Sequence, residues 1–352
     1  MKKLLIVMLA MVMALTLFVG CFNCAVELTE EEVEERIERS IAEWEADEWV
    51  DGGLIALVQN FSHPALDAAR EGFVAALAEE GFVEGVNVQF REFNAQGDVG
   101  TLASIATQVV EENPFLILSI ATGTTQALAH ETQTIPIVIT AVTDPLQAGV
   151  IYSLERPGTN VTGTSDLTPV DAQFNLMLEL LPETQTVGII YNAGEVNSVI
   201  QADMAAETAA TLGLNYIRRT VTGTHDIAQI AEATVGMVDV IYVPTCNTIA
   251  AAYATLVMVA DEAGVPVIVG ERAGVTAGGA LATSGIDYYL LGRQAGAMAA
   301  QIMRGEAIPP SMPIQWQDPA RTRTTINTES AERLGITIPE HILEIAELVV
   351  TE

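Results

Sequence analysis

Beyond residue 51, uncharged apolar runs alternate with longer segments in which apolar positions recur at helical spacing. The runs at 54–58, 135–140 and 187–191 are unbroken and rich in β-branched residues, the pattern of strands covered on both faces. A fourth run, at 160–164, has the same extended character. Segments 66–80 and 201–212 read as helices, and each is closed by a glycine, Gly81 or Gly213, the residue favoured just past a helix end. Strand and helix therefore alternate, which predicts an α/β fold with parallel sheets and helices on both faces.

The order of these elements repeats. Strand 54–58 is matched by 187–191, FNAQGD at 93–98 by VTGTHD at 221–226, IAT at 120–122 by VPT at 243–245, and IPIV at 135–138 by VPVI at 265–268. A duplicated unit predicts two similar doubly wound parallel-sheet lobes. The stretch 135–171 joins them through a buried strand, a loop bearing Thr143, Asp144 and Pro145, a second extended piece, the polar pair Ser165 and Asp166, and Pro169 opening a new helix. A return crossing falls at 282–287, a helix at 290–304 goes back to the first lobe, and the proline-rich piece 308–313 recrosses. The expected division is 52–166 plus 284–312 for the first lobe and 167–283 plus 313–352 for the second. Three thin crossings predict a hinge. Ligands of open α/β sheets bind beyond the carboxyl ends of the strands, so the expected site is the interlobe cleft.

Composition narrows the function. The chain has 352 residues, 50% hydrophobic and 17% charged, enough to bury two cores. A formal charge of −31, with lysine only at Lys2 and Lys3, argues against a nucleic-acid partner, because phosphate binding needs clustered basic side chains. An acidic surface suits a salty or alkaline medium and, equally, simple solvation. Lys2 and Lys3 precede an uncharged apolar run, 4–19, short for the roughly 20 residues of a spanning helix, so residues 1–21 read as a signal peptide. Its end, FVGC at 18–21, resembles a bacterial lipobox, in which Cys21 would become the lipid-modified first residue; a retained membrane anchor is the alternative. Phe18 stands where that pattern usually has Leu. Residues 22–51 form an acidic tether in which Val33, Ile37, Ile41 and Trp44 recur at helical spacing, the mark of a solvated stalk or of a partner-binding helix. Cys24 and Cys246 lie in distant parts of the plan and are not expected to pair, and no metal-ligand spacing is visible.

Catalytic signatures are absent from the sequence. There is no GxSxG, HExxH, P-loop or GxGxxG, and His63, His130, His225 and His341 are scattered, so neither an enzyme nor a cofactor is expected. The polar residues that stand at expected strand ends are ligand candidates. Phe61 is a ring contact or a core residue, and His63, before Pro64, faces the cleft, caps the following helix, or both. Thr122, Gly123 and Thr124 link a strand to a helix, where amides and hydroxyls suit a carboxylate. Thr143 lies in the crossing loop, and Asp144 binds an ammonium or caps the turn at Pro145. In the second lobe Asn192, Glu195, Asn197 and Ser198 follow a strand, with Asn197 or Ser198 also suited to cap the next helix. Thr245 and Asn247 repeat that placement after the next strand. Glu271 and Asp287 follow later runs and balance a ligand cation or are plain solvated carboxylates.

Several longer phrases carry a resemblance over nearly the whole chain beyond the tether: HPALDAAR at 63–70, NAQGD at 94–98, TAVTDPLQAG at 140–149, NVTGTSDLTPV at 160–170, YNAGEVNS at 191–198 and GIDYYLLGRQAG at 285–296. They resemble the extracytoplasmic substrate-binding proteins of ABC importers, most closely the group with type I periplasmic-binding folds associated with tryptophan and tyrosine uptake. The resemblance implies a Venus-flytrap fold, a location at the outer face of the membrane or in the periplasm, and an ABC permease and ATPase as partners; a monomer is expected. It also implies an aromatic amino acid as ligand; a sugar or nucleoside, or a ligand-sensing role, is the alternative. Two departures fall in expected cleft loops. Pro244-Thr245-Cys246-Asn247 stands where relatives tend to read PTDN, and IATGTTQ at 120–126 where they tend to read IATPAAQ.

Overall fold

The computed structural model describes residues 28–44, 51–318 and 321–351. The first lobe is built on a six-stranded sheet: β1 (Gly53–Gln59), β2 (Val88–Asn94), β3 (Leu116–Ile120), β4 (Ile137–Val142), β5 (Val161–Ser165) and β11 (Gln315–Trp316). Its order is β11-β5-β4-β3-β1-β2, and every neighbouring pair is parallel. Successive residues of β1 explain why the strands read as unbroken apolar runs. Ile55 and Leu57 enter one core cluster, while Ala56 and Val58 enter another on the opposite face.

The second lobe carries β6 (Thr186–Asn192), β7 (Asn215–Val221), β8 (Val240–Val243), β9 (Val267–Val269), β10 (Ala282–Gly285), β12 (Arg323–Asn327) and β13 (Glu347–Val349). The order is β13-β12-β10-β9-β8-β6-β7, parallel except where β12 runs antiparallel to β10. Gly81 and Gly213 sit just past the helices Pro64–Glu79 and Val196–Thr211 with φ of 94° and 75°, the left-handed conformation expected of a helix-terminating glycine.

β5 leads to the helix Val170–Leu180 of the second lobe, and β10 belongs wholly to the second sheet before the chain returns. The helix Tyr288–Met303 then packs on Pro64–Glu79 in the first lobe. This contact is close because glycines remove side chains from it: a Cβ on Gly292 would lie 1.9 Å from the Ala69 carbonyl oxygen, and one on Gly72 2.0 Å from that of Tyr289. The last crossing comes later than residue 313, since Gln315 and Trp316 still pair with Thr164 and Ser165 of the first sheet.

The acidic segment before β1 is not a free stalk. Its helix, Glu30–Glu43, opens with a Thr29–Glu32 capping box and lies against the first lobe. Ile37 is 2% exposed, seated where Gly158 lacks a side chain, and Arg156 pairs with Glu34 and Glu38 at 2.5 Å each. Cys21 and residues 1–20 lie outside the described residues, as do 45–50. No helix among the described residues is long and apolar enough to cross a membrane.

Candidate ligand-binding site

All strands of a parallel sheet end on one edge, and here the two such edges face each other. The segments after β1, β2 and β3 oppose those after β6, β7 and β8 across a groove of about 870 Å³, lined among others by Phe61, Gly123, Asn192, Glu195, Asn197 and Asn247. That volume suits a small solute.

On the first-lobe side the helix Thr122–Glu131 starts directly from β3. Ala121, with φ of 81°, makes the turn, and Ala141, at a bulge in the neighbouring β4, has φ of 55°. Two non-glycine residues in the left-handed region at adjacent strand ends store strain where backbone is aimed. The hydroxyls of Thr122 and Thr124 are fully buried and have no hydrogen-bond partner, while the space over Gly123 is open. Phe61 lines the groove, and its ring packs over Gly97 and against the first-lobe core. His63 precedes the helix Pro64–Glu79 but makes no cap bond. Its ring is buried and reaches across the cleft, Nε2 lying 3.3 Å from Asn247 Oδ1.

The second-lobe side is organised by Glu195. One carboxylate oxygen accepts from Asn247 N and Nδ2, both at 2.9 Å, and the other from Thr248 N at 2.9 Å and Thr248 Oγ1 at 2.6 Å. Glu195 thus ties the loop after β8 to the loop after β6. It is also the N-cap of the helix Val196–Thr211, so Asn197 and Ser198 do not cap it. Asn197 donates to the Thr245 carbonyl at 2.8 Å, and Asn192 donates to Thr248 Oγ1 at 2.8 Å. Ser198 is buried beside Cys246. The thiol of Cys246 lies in an apolar cluster, where burial pushes its pKa far up. Thr245 Oγ1 and Gln201 Nε2 are buried without partners.

A buried acidic group lies just past the ends of β5 and β9. Glu271 is 2% exposed, its Oε1 makes no hydrogen bond, and burial raises its carboxyl to about 8, with the charges of Asp166 and Glu195 adding to the rise. Asp166, which sequence reasoning did not select, accepts from Tyr288 OH at 2.7 Å and from Thr143 Oγ1 at 3.0 Å, and burial raises its pKa too. Tyr253 lies close enough to pull the Glu271 carboxyl down, although its hydroxyl is in no well-formed hydrogen bond. The clue to Asp166 was a lone acid in an otherwise uncharged crossing; Tyr253 and Gln201 carried no signal, being inward positions of ordinary helices. Two other acids have local duties instead. Asp144 accepts from Leu146 N and Gln147 N at 3.0 and 2.9 Å, and Asp287 from Leu290 N at 3.1 Å, so each caps its own turn or helix.

Two α/β lobes with strand-end loops opposed across a polar cleft define a two-lobed solute-binding protein of the type I periplasmic-binding fold. The chain belongs to the ABC transporter substrate binding protein family, whose family model matches residues 54–350. It is 38% identical over 282 residues to a tyrosine-binding protein of Clostridioides difficile strain R20291, covering 80% of this chain and 81% of that one. Among solved structures it is similar to an ABC domain in complex with L-Trp from Streptococcus pneumonia, at 34% identity and a TM-score of 0.81, over 85% of this chain and 100% of the other. It is also similar to the ligand-free, open structure of a substrate-binding protein with adhesive properties from Clostridium difficile, at 39% identity and a TM-score of 0.66, over 85% and 100% of the two chains.

Proposed function

We propose that this chain captures an aromatic amino acid, tryptophan or tyrosine first, in the interlobe cleft and delivers it to an ABC permease driven by its ATPase. The observation that carries this reading is the set of buried polar atoms left without partners on both sides of the cleft. Such atoms cost about 1–3 kcal/mol each when unsatisfied, so a cluster of them calls for a ligand. Their chemistry is that of a zwitterion host. Thr122, Gly123 and Thr124, at a helix N-terminus, offer amides and hydroxyls to a carboxylate. Glu271 and Asp166 offer negative charge to an ammonium, which would let both ionise together. Phe61, Leu102 and Ala106 supply apolar wall for a ring. The names of the similar proteins favour an aromatic ligand.

The lobes are drawn together, with His63 bonded to Asn247 across the cleft. A higher TM-score to the L-Trp complex than to the open structure, at lower identity, supports a closed arrangement. Capture then works by shifting an open–closed equilibrium. The site residues named above act by binding and not by catalysis. The apolar leader and Cys21 support a location outside the cytoplasm with the chain held by lipid, and the protein works as a monomer. A thermal-shift panel tests the reading: ligand at about 100 times its dissociation constant adds about 2.7 kcal/mol, so tryptophan or tyrosine raises the melting temperature. A shift with a sugar or nucleoside, and none with any amino acid, overturns it.

A further inference from the structure

We infer that His63 selects ligands whose side chain carries an N–H or O–H donor, and rejects otherwise matching apolar rings. The inference rests on the amino-acid reading above and adds a chemical filter to it.

The polarity runs across the cleft in a fixed order. Glu195 Oε2 accepts from both the backbone amide and the side-chain amide of Asn247. Asn247 therefore presents its NH₂ to Glu195 and its oxygen to His63. An amide oxygen only accepts, so His63 Nε2 carries the proton in the 3.3 Å contact. Burial lowers the affinity of the ring for a second proton, against weaker opposing effects from the Asn247 bond and the charges of Asp67 and Glu195. The remaining nitrogen, Nδ1, is a bare acceptor. It is buried and has no partner, and the His63 side chain plays no part in capping the helix that follows it.

A buried acceptor without a donor asks the ligand for one. The ammonium is not the natural source, because buried carboxylates are available to it elsewhere. The charges acting on His63 are those of Asp67 and Glu195, and those acting on Glu271 are those of Asp166 and Glu195. Glu195 is therefore felt by two acceptor groups, the acidic pair and the neutral imidazole. A zwitterion with a ring bearing an indole N–H or a phenol O–H satisfies both; phenylalanine leaves Nδ1 empty. Sites built to bond a polar group reject the analogue that lacks it, because the protein atom is stranded. One buried unsatisfied acceptor corresponds to about 10- to 100-fold in affinity.

Titration calorimetry with L-tryptophan and L-3-benzothienylalanine, which replaces the indole N–H by sulfur, reads this directly. The wild-type chain should prefer tryptophan by about 10- to 100-fold, and His63→Leu should bring the two within about threefold. Equal affinities in the wild type, or an undiminished ratio in His63→Leu, overturn the inference. Binding of no aromatic amino acid to the wild type overturns the amino-acid reading itself and the filter with it. Nitrogen-15 spectra of the wild-type imidazole keep the test decisive if the variant does not fold. They should show Nε2 protonated and Nδ1 bare, with Nδ1 shifting on tryptophan and not on benzothienylalanine. A protonated Nδ1 overturns the inference.

Discussion

Glu271 sets function against stability, and replacing it separates the two. Withdrawal from water raises its carboxyl from an ordinary value of 4.5 to about 8. The sign follows from linkage. Above pH 4.5 the unfolded chain releases a proton that the folded chain keeps, so stability falls as pH rises, and the loss stops once the folded carboxyl ionises near 8. At about 1.36 kcal/mol per pH unit this amounts to about 3 kcal/mol at pH 7. Glu271→Gln keeps the shape and removes the titration. The ligand-free variant should therefore gain about 2–3 kcal/mol at pH 7, on the order of 5 °C in melting temperature, and almost nothing near pH 5. The cost appears in binding. Removing one partner of a buried ion pair costs about 3–5 kcal/mol, more than 100-fold in affinity for an ammonium. Differential scanning calorimetry at pH 5 and pH 7.5, with and without L-tryptophan, reads all four quantities. A variant no more stable than the wild type at pH 7.5, or stabilised by tryptophan as much as the wild type, refutes the reasoning.

Because Glu271 must lose its proton to take an ammonium, wild-type affinity for tryptophan should rise up to about tenfold per pH unit from pH 6 and level off near 8; calorimetry showing a flat profile would contradict this. Gly292→Ala drives a Cβ into the Ala69 backbone and should cost about 3 kcal/mol, seen as a lower urea midpoint at unchanged slope. For the docked N-terminal helix, burial of Ile37 outweighs the exposed Arg156 pairs. Ile37→Ala should speed tryptic cleavage at Arg36 and Arg39 by roughly 30-fold, and Arg156→Ala by less than about fivefold; the reverse order would assign the docking to charge.

How far the sequence carries depends on whether a residue acts through a repeating pattern or through a distant partner. Strands 54–58 and 187–191 fall inside β1 and β6, because burial on both faces writes an unbroken apolar run. Gly81 and Gly213 were legible because a left-handed helix end admits few residues. Strand 135–140 is displaced by two residues from Ile137–Val142, where the bulge at Ala141 departs from simple alternation. The stripe through Ile37 was visible, but its seat on Gly158 is a long-range fit with no local trace. Acids divide in the same way. Asp144, Glu195, Asp287 and Glu271 look alike as single carboxylates after strands, yet three are satisfied by nearby amides and Glu271 alone among the four is buried with an orphaned oxygen. That difference lies in the approach of Asp166 and Tyr253, which no spacing announces.

A crystal structure of the chain grown with L-tryptophan tests the central claim most directly. The ligand should lie between the lobes, with its carboxylate on the amides and hydroxyls of Thr122 to Thr124, its ammonium within hydrogen-bond distance of Glu271 and Asp166, and its indole N–H on His63 Nδ1. Tryptophan bound outside this cleft, or seated in it with the ammonium facing the threonines and the carboxylate facing the acids, would contradict the account.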